Sequence, residues 1–277
     1  MKKTLLRAAL PALVFLVGAC DRNPTTSEIT TTPTLRSVTV SSTSSKYKTG
    51  DFEVFTAVAN MSDGSRRAIG PGNWTTDAPG VATVDAGGTV TIVGPGSASI
   101  GVTYEGMTGA KSIQAFPSWA GPWQGAYRVD ACAADGDFLK EGFCQALQPD
   151  GTPPISFDLT QTGDSVSGTV YHGAVSWAVS GRVEADGRIT LSGRYTGRLL
   201  VIDAEYEMKA DPWLFSARGV FRQHWTEGDM TGFGDLQCSL IELSRSVVGP
   251  GPLGAAAVTP AGKGLPLKDI IRALGLR

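Results

Sequence analysis

The chain has few of the residues from which catalytic and metal centres are built. It contains two histidines, His172 and His224, and four cysteines in 277 residues. Nucleophilic triads and zinc sites need a histidine or several thiolates that converge, and these two histidines lack metal-ligand spacing. Calcium binding by Asp63, Asp77 and Asp85 is an alternative, but the spacing of a calcium-binding loop is missing there. We therefore expect no metal, no cofactor and no enzymatic activity; an unrecognised enzyme or enzyme inhibitor is the weakest alternative.

Charge and helical periodicity are also scarce. Charged residues make up 18% of the chain, the formal net charge is −2, and no basic stripe is present. This excludes the usual electrostatic footprint of a nucleic-acid-binding protein. Glycine, in contrast, is abundant at 35 residues. Such a composition is typical of short strands joined by tight turns, so the sequence predicts an all-β protein.

Residues 1–19 have the three parts of a signal peptide. Positive residues within the first seven precede an apolar segment over 8–17 that is too short to cross a bilayer. The segment ends at Val17-Gly18-Ala19-Cys20, which resembles the lipobox of bacterial lipoproteins. The resemblance implies lipidation of Cys20 and a lipid anchor in the cell envelope, at the outer membrane or the periplasmic face of the inner membrane. A soluble secreted protein and an uncleaved anchor are the alternatives.

Two segments have the composition of flexible chain. Residues 20–34 are rich in Thr, Pro and Ser and predict a tether behind the lipidated cysteine. Residues 247–277 predict a flexible tail, rich in Gly, Pro and Ala, that ends in a short amphipathic helix over 265–277. That helix is either a docking peptide for a partner or the membrane surface, or part of a loosely ordered tail.

Residues 35–116 alternate apolar and polar side chains in short runs separated by glycine turns. This pattern predicts a β-sandwich. The domain resembles the bacterial Ig-like domain, group 2, of intimin- and invasin-type surface proteins. The resemblance rests on the segments Thr49-Gly50-Asp51, Asn73–Asp77, Val81–Asp85, Gly87–Val90 and Gly94–Ile100. The resemblance implies no catalytic residues and a role as a spacer or as an adhesive or glycan-facing unit. Trp74 is expected in the core of the sandwich rather than on a ligand platform.

Residues 119–246 repeat a Ser-Gly phrase once per strand. The phrase occurs at Ser167-Gly168, Ser180-Gly181 and Ser192-Gly193, thirteen and twelve residues apart. That spacing equals one strand plus one turn, and glycine inside a strand serves sharp bends. About eight such strands predict a small antiparallel up-and-down β-barrel, with a second Ig-like sandwich as the alternative. The segment Leu159–Thr169 resembles those of lipocalin-like and avidin-like barrels of bacterial lipoproteins.

The remaining three cysteines lie in the second domain. Cys132 and Cys144 stand twelve residues apart across a glycine-rich loop. Because an exported chain meets an oxidising environment, we expect these two to form a disulfide. Cys238 is then either buried as a small apolar residue or paired differently, and the sequence leaves the connectivity open.

The barrel also supplies the candidate ligand-lining residues: Trp177, Tyr195, Trp213, Phe221, His224 and Trp225. The cluster around His224 either lines a barrel mouth or is an ordinary hairpin turn. The function we predict is a non-catalytic cell-envelope lipoprotein that acts as a binding or adhesion module for a protein or glycan partner. The alternative is a carrier of a small apolar ligand in the barrel interior, although small barrels are often filled by their own side chains.

Overall fold

A ten-strand sandwich precedes an eight-strand barrel in the computed structural model, which describes residues 32–147, 152–197, 199–211 and 216–245. The prediction of an all-β chain with an Ig-like sandwich followed by a closed antiparallel barrel is confirmed. The predicted signal peptide, Cys20, most of the tether, Trp213 and the tail all lie outside the described residues. No helix among the described residues is long and apolar enough to span a membrane.

The sandwich is built from three small sheets. Its strands are β1 (Leu35–Ser41), β2 (Lys46–Lys48), β3 (Phe52–Val54), β4 (Thr56–Met61), β5 (Arg66–Ile69), β6 (Asn73–Thr76), β7 (Ala82–Val84), β8 (Thr89–Ile92), β9 (Gly96–Tyr104) and β10 (Met107–Phe116). The sheet orders are β1-β4-β5, β2-β10-β9-β6 and β3-β8-β7. Phe55, Ile92, Ile100 and Val102 lie in the core, and the half-buried Trp74 packs against it.

The barrel strands follow one another around the wall. They are β11 (Gly121–Ala134), β12 (Pro154–Thr162), β13 (Ser165–His172), β14 (Val175–Val183), β15 (Arg188–Thr196), β16 (Leu200–Ala210), β17 (Ser216–Glu227) and β18 (Gly234–Arg245). Each strand pairs antiparallel with the next, and β18 pairs with β11 to close the barrel. Closure leaves no unpaired sheet edge, which protects the strands from pairing with other chains.

Alternation of apolar and polar residues along each strand decides which side chains point into the barrel. Along β16, Tyr206 and Met208 are buried, whereas Asp203, Glu205 and Glu207 are exposed. A strand turns successive side chains to opposite faces, so this pattern directs the apolar residues inward and the charged ones to the outer wall. The other strands follow this alternation except at register shifts where β18 pairs with β11 and β17, and the inward side chains form one continuous core.

The repeated glycines stand where neighbouring strands leave no room for a side chain. A Cβ at Gly168 would lie 2.9 Å from the carbonyl carbon of Asp158 and 3.0 Å from Cα of Leu159. A Cβ at Gly181 would be equally close to the backbone of β15. The Ser-Gly phrase therefore places glycine at inward positions where strands bend against each other, as expected for barrel corners.

The barrel end next to the sandwich is sealed by buried residues of the linker between β10 and β11 (residues 117–120) and of the start of β11. Trp119 and Trp123 are fully buried, with ring centroids 4.8 Å apart. The Gln161 side chain accepts a hydrogen bond from the Trp119 backbone N–H at 2.7 Å and donates to the carbonyl oxygens of Pro117 at 3.0 Å and Gly163 at 2.8 Å. These bonds fix the linker to the β12–β13 turn.

The opposite end is capped by two short helices, α1 (Gly136–Lys140) and α2 (Phe143–Ala146). The predicted Cys132–Cys144 disulfide is present and ties α2 to β11. Asp137 accepts hydrogen bonds from the backbone and hydroxyl of Thr231, both at 2.8 Å, which attach α1 to the β17–β18 loop. Cys238 is free and buried in the core, so the first of its two alternatives holds.

Candidate binding site

The barrel interior is filled by aromatic side chains. Tyr127 and Phe221 have ring centroids 5.1 Å apart, Phe157 and Tyr206 are 5.4 Å apart, and Tyr206 and Phe221 are also 5.4 Å apart. Trp225 extends this cluster to Phe143 of the cap, at 5.3 Å. Such distances are those of rings in contact. The centre of the barrel is therefore a packed core.

Of the predicted lining residues, Trp177, Phe221 and Trp225 do point inward, and they are 5%, 1% and 1% exposed. Tyr195 is partly buried and packs against the same core. These four residues therefore belong to the hydrophobic core, and they contact other side chains of the barrel. Trp213 lies outside the described residues.

His172 is the one histidine inside the barrel. Its ring stacks on Trp177 with centroids 4.8 Å apart and an interplanar angle of 5°, and its Nε2 lies 3.0 Å from the hydroxyl of Tyr206. Complete burial lowers the pKa of His172 to about 3, because the cationic form would lose its hydration. The side chain is thus a neutral hydrogen-bonding partner of Tyr206 in the core.

His224 points to the opposite side of the wall from its neighbour Trp225. Its Nδ1 lies 2.7 Å from Oδ1 of Asp235, and both side chains are about half exposed. The sequence predicts His224 as a candidate lining residue together with the interior aromatic residues, with an ordinary hairpin turn as the alternative. The structure separates it from them, because adjacent residues of a strand face opposite sides of the sheet.

The outer wall beside His224 contains a depression of about 750 Å³, which we call the outer slot. Two rows of cross-strand neighbours form its walls. One row is Asp235, His224 and Asp203; the other is Gln237, Arg222 and Glu205. Each row takes one residue from β18, one from β17 and one from β16. The slot therefore runs across the strands.

The remaining lining residues define the floor and the ends of the slot. Leu236, Gln223 and Ala204 separate the two rows, and their side chains are buried inside the barrel. Only their backbone can reach the outer side, so the floor is flat sheet. Small residues stand at both ends, Ala131 and Ala133 on β11, and Ser192 and Gly193 on β15. The slot is thus open at both ends.

Hydrogen-bonding capacity is left free in the slot. Asp203 lies 3.5 Å from Arg194, and Asp235 is paired with His224. Within the part of the chain that the structure describes, the side chains of Arg222, Glu205 and Gln237 form no hydrogen bond or ion pair. A guanidinium offers five donors, a carboxylate several acceptor positions and an amide both kinds. No group of acidic, histidine or cysteine side chains among the described residues is arranged to hold a metal ion.

Of the six residues in the two rows, His224 alone is among the candidate lining residues that the sequence provides, and the sequence places it at a barrel mouth or in a hairpin turn. Alternation of polar and apolar residues marked each of them as outward-facing. Strand register decides which outward-facing residues of three different strands lie side by side. The alternation of polar and apolar residues along a single strand does not reveal the register.

Comparison with known proteins supports the assignment of the sandwich. Residues 35–114 match the family model described as bacterial Ig-like domain (group 2). The match covers the sandwich and ends before the barrel. The family that the sequence pattern resembles is therefore confirmed for the first domain. No curated protein matches the chain.

Two solved structures are similar to parts of the chain. One is the surface layer protein SbsC, domains 4–9, with 15% identity and a TM-score of 0.28; the match covers 74% of this chain and 31% of that one. The other is the S-layer protein SbsC, domains 5–6, with 16% identity and a TM-score of 0.26; it covers 74% of this chain and 98% of that one. The chain thus spans about a third of the length of the first. Neither TM-score indicates a shared fold.

Proposed function

We propose that this chain is a non-catalytic lipoprotein of the bacterial cell envelope, in which the sandwich is a spacer and the barrel is a binding module. The observation that carries the proposal is the contrast between the two sides of the barrel wall. The interior is packed with aromatic rings, whereas the outer wall carries the outer slot with unpaired polar side chains. The barrel therefore binds its partner on the outside.

The packed interior argues against the alternative of an apolar carrier. A carrier needs an interior cavity of several hundred Å³ with an open mouth. Here the rings of Tyr127, Phe157, Tyr206 and Phe221 occupy the centre at contact distances. Buried residues seal the end next to the sandwich, and the disulfide-linked cap covers the other end.

The joint between sandwich and barrel supports a spacer role. Besides the three hydrogen bonds of Gln161, Lys46 of β2 lies 2.7 Å from Asp164 in the β12–β13 turn. The Lys46 ammonium also lies 5.9 Å from the centroid of the Phe116 ring. The linker and β2 are thus both tied to the β12–β13 turn, which restricts hinge motion, so the sandwich holds the barrel at a fixed distance from its own amino end.

Anchoring through Cys20 is the second element of the proposal, and it rests on the lipobox. Metabolic labelling of the chain with radioactive palmitate tests it, with Cys20→Ser as the control. We expect label in the unsubstituted chain and none in the variant. Equal label in both would contradict lipidation at Cys20.

Binding is tested with the full chain carrying Cys20→Ser, which removes the contribution of the lipid. Envelopes are isolated from a strain of the source bacterium that lacks the protein, and the purified chain is added over a range of concentrations. We expect saturable retention on the envelopes and no stoichiometric binding of a fluorescent fatty acid. The absence of saturable retention, together with tight fatty-acid binding, would favour the carrier.

A further inference from the structure

We infer that the outer slot binds a hydroxyl-rich glycan chain without charged groups, laid across strands β16, β17 and β18. The inference rests on the proposed function, because it names the ligand class of the proposed binding surface. Three properties of the slot carry it: its shape, its hydrogen-bonding groups and its lack of apolar anchors.

The shape fits an elongated ligand. From Asp203 to Asp235 the slot crosses two inter-strand spacings, about 10 Å. Both ends are open because alanine, serine and glycine stand there. A chain can therefore enter at one end and leave at the other, whereas a compact small molecule would use only part of the slot.

The walls offer donors and acceptors in close alternation. Along one row the groups are an amide, a guanidinium and a carboxylate, from Gln237, Arg222 and Glu205. Across the floor, Asp203 and Asp235 add acceptor oxygens on either side of the His224 imidazole. Planar groups of this kind form paired hydrogen bonds. Neighbouring hydroxyls of a sugar ring, each both a donor and an acceptor, match such pairs.

Ligand charge is limited by the composition of the walls. The lining holds three carboxylates and the Arg222 guanidinium, and a second guanidinium, that of Arg194, lies 3.5 Å from Asp203. Three carboxylates therefore face two guanidinium groups, so an anionic ligand such as a phosphate or a uronic acid would meet net negative charge. The carboxylates are also not grouped for a metal ion among the described residues. A neutral polyhydroxylated ligand uses the acceptors without adding charge.

A protein partner is disfavoured by what the slot lacks. Protein interfaces take most of their binding energy from buried aromatic residues and arginine in apolar pockets. Among the described residues that line the slot there is no Phe, Tyr or Trp, and the ends carry small side chains. Phe233 packs against His224 with ring centroids 5.4 Å apart, but it is not part of the lining. The free hydrogen-bonding capacity is thus not accompanied by an apolar anchor.

The outer wall continues the slot in the direction of β12. Ser192, Ser180 and Ser167 are cross-strand neighbours, and the Thr160 and Ser167 hydroxyls lie 3.1 Å apart. These residues line further depressions of the same wall. Their hydroxyl groups provide a low, polar path along which a longer glycan can extend beyond the slot.

The test uses isolated envelopes from the strain without the protein, in three portions: untreated, digested with proteinase K, and oxidised with periodate, which cleaves vicinal diols of sugars. The full chain with Cys20→Ser is titrated onto each portion. Arg222→Gln and Glu205→Gln alter the slot in the same background. Arg218→Gln is the matched control, because Arg218 is exposed on the same strand and lies outside the slot.

We expect retention to survive protease and to be lost after periodate. Each slot substitution should weaken retention about tenfold or more, since a hydrogen bond to a charged group contributes at least that factor, whereas Arg218→Gln should leave it unchanged. Retention that resists periodate and is lost after protease would overturn the glycan inference and leave the proposed function standing. Equal retention by Arg222→Gln and Arg218→Gln would also overturn it. No retention on any portion would contradict the proposed function itself.

Discussion

Gly181→Ala should destabilise the barrel by about 2–3 kcal/mol. The added Cβ would overlap the carbonyl oxygen of Thr190 and lie 2.8 Å from its carbonyl carbon and 2.9 Å from Cα of Leu191. Overpacking of a core costs about 1–3 kcal/mol, and here the obstacle is backbone, which cannot rotate away, so we expect the upper part of that range. The lower chain entropy of the unfolded alanine variant offsets at most about 1 kcal/mol.

The assay is urea unfolding followed by tryptophan fluorescence, which the buried Trp119, Trp123, Trp177 and Trp225 make sensitive to the barrel. Gly228→Ala is the matched control: its Cβ would meet only Leu199, at 3.9 Å, which is ordinary contact. The control should stay within about 0.5 kcal/mol of the unsubstituted chain. If Gly181→Ala were as stable as Gly228→Ala, the assignment of the repeated glycines to crowded barrel corners would be refuted.

Three further predictions concern the cap, the core and the joint. Cys132→Ser with Cys144→Ser should lower barrel stability by about 3 kcal/mol, the value for a loop of this length, and urea unfolding with and without reductant checks it. Burial depresses the pKa of His172 to about 3, so below about pH 6.5 the unfolded chain binds a proton at this residue that the folded chain does not bind. The free energy of unfolding should therefore fall as the pH drops from 7 to 5, by up to about 1.4 kcal/mol per pH unit. His172→Gln should flatten that dependence, and an unchanged slope would contradict the assignment of His172 as a buried neutral residue. Gln161→Ala should lower the free energy of unfolding, measured by calorimetry, by about 2–3 kcal/mol, because three buried backbone groups lose their hydrogen-bond partner. Lys46→Ala breaks an exposed ion pair and should lower it by less than about 1 kcal/mol. Equal effects of the two substitutions would contradict a joint held by Gln161.

The fold could be predicted from the sequence because the signals that indicate strands are local. Alternation along β16 separates Tyr206 from Glu205 and Glu207 without any knowledge of partner strands. The Ser-Gly phrase marked Gly168 and Gly181 as bend positions, and the short separation of Cys132 from Cys144 indicated their disulfide. Each of these signals lies within about a dozen residues.

The cap was not predicted, for a physical reason. Helices of four or five residues, such as α1 and α2, are unstable alone and have no periodicity to detect. They are held by the disulfide and by the hydrogen bonds between Asp137 and Thr231, which are 94 residues apart in the sequence. Contacts at that separation depend on the closed barrel.

The candidate site could not be predicted from the sequence either, because it also depends on contacts between different strands. His224 and Trp225 are adjacent in the chain and are both candidate lining residues by sequence, yet they face opposite sides of the wall. Asp235 and Asp203 come beside His224 only because β18 and β16 pair with β17 in one particular register. A shift of either strand by one residue would direct these carboxylates into the core.

The central claim is that the barrel binds through its outer wall and that its interior is structural. Phe221 and Arg222 are adjacent on β17 and point to opposite sides, so they provide the most direct test. Envelope retention is measured for Phe221→Leu and Arg222→Gln at a temperature at which circular dichroism shows both to be folded. We predict that Phe221→Leu keeps full retention and that Arg222→Gln loses about tenfold or more. Loss of retention in Phe221→Leu with full retention in Arg222→Gln would contradict the account.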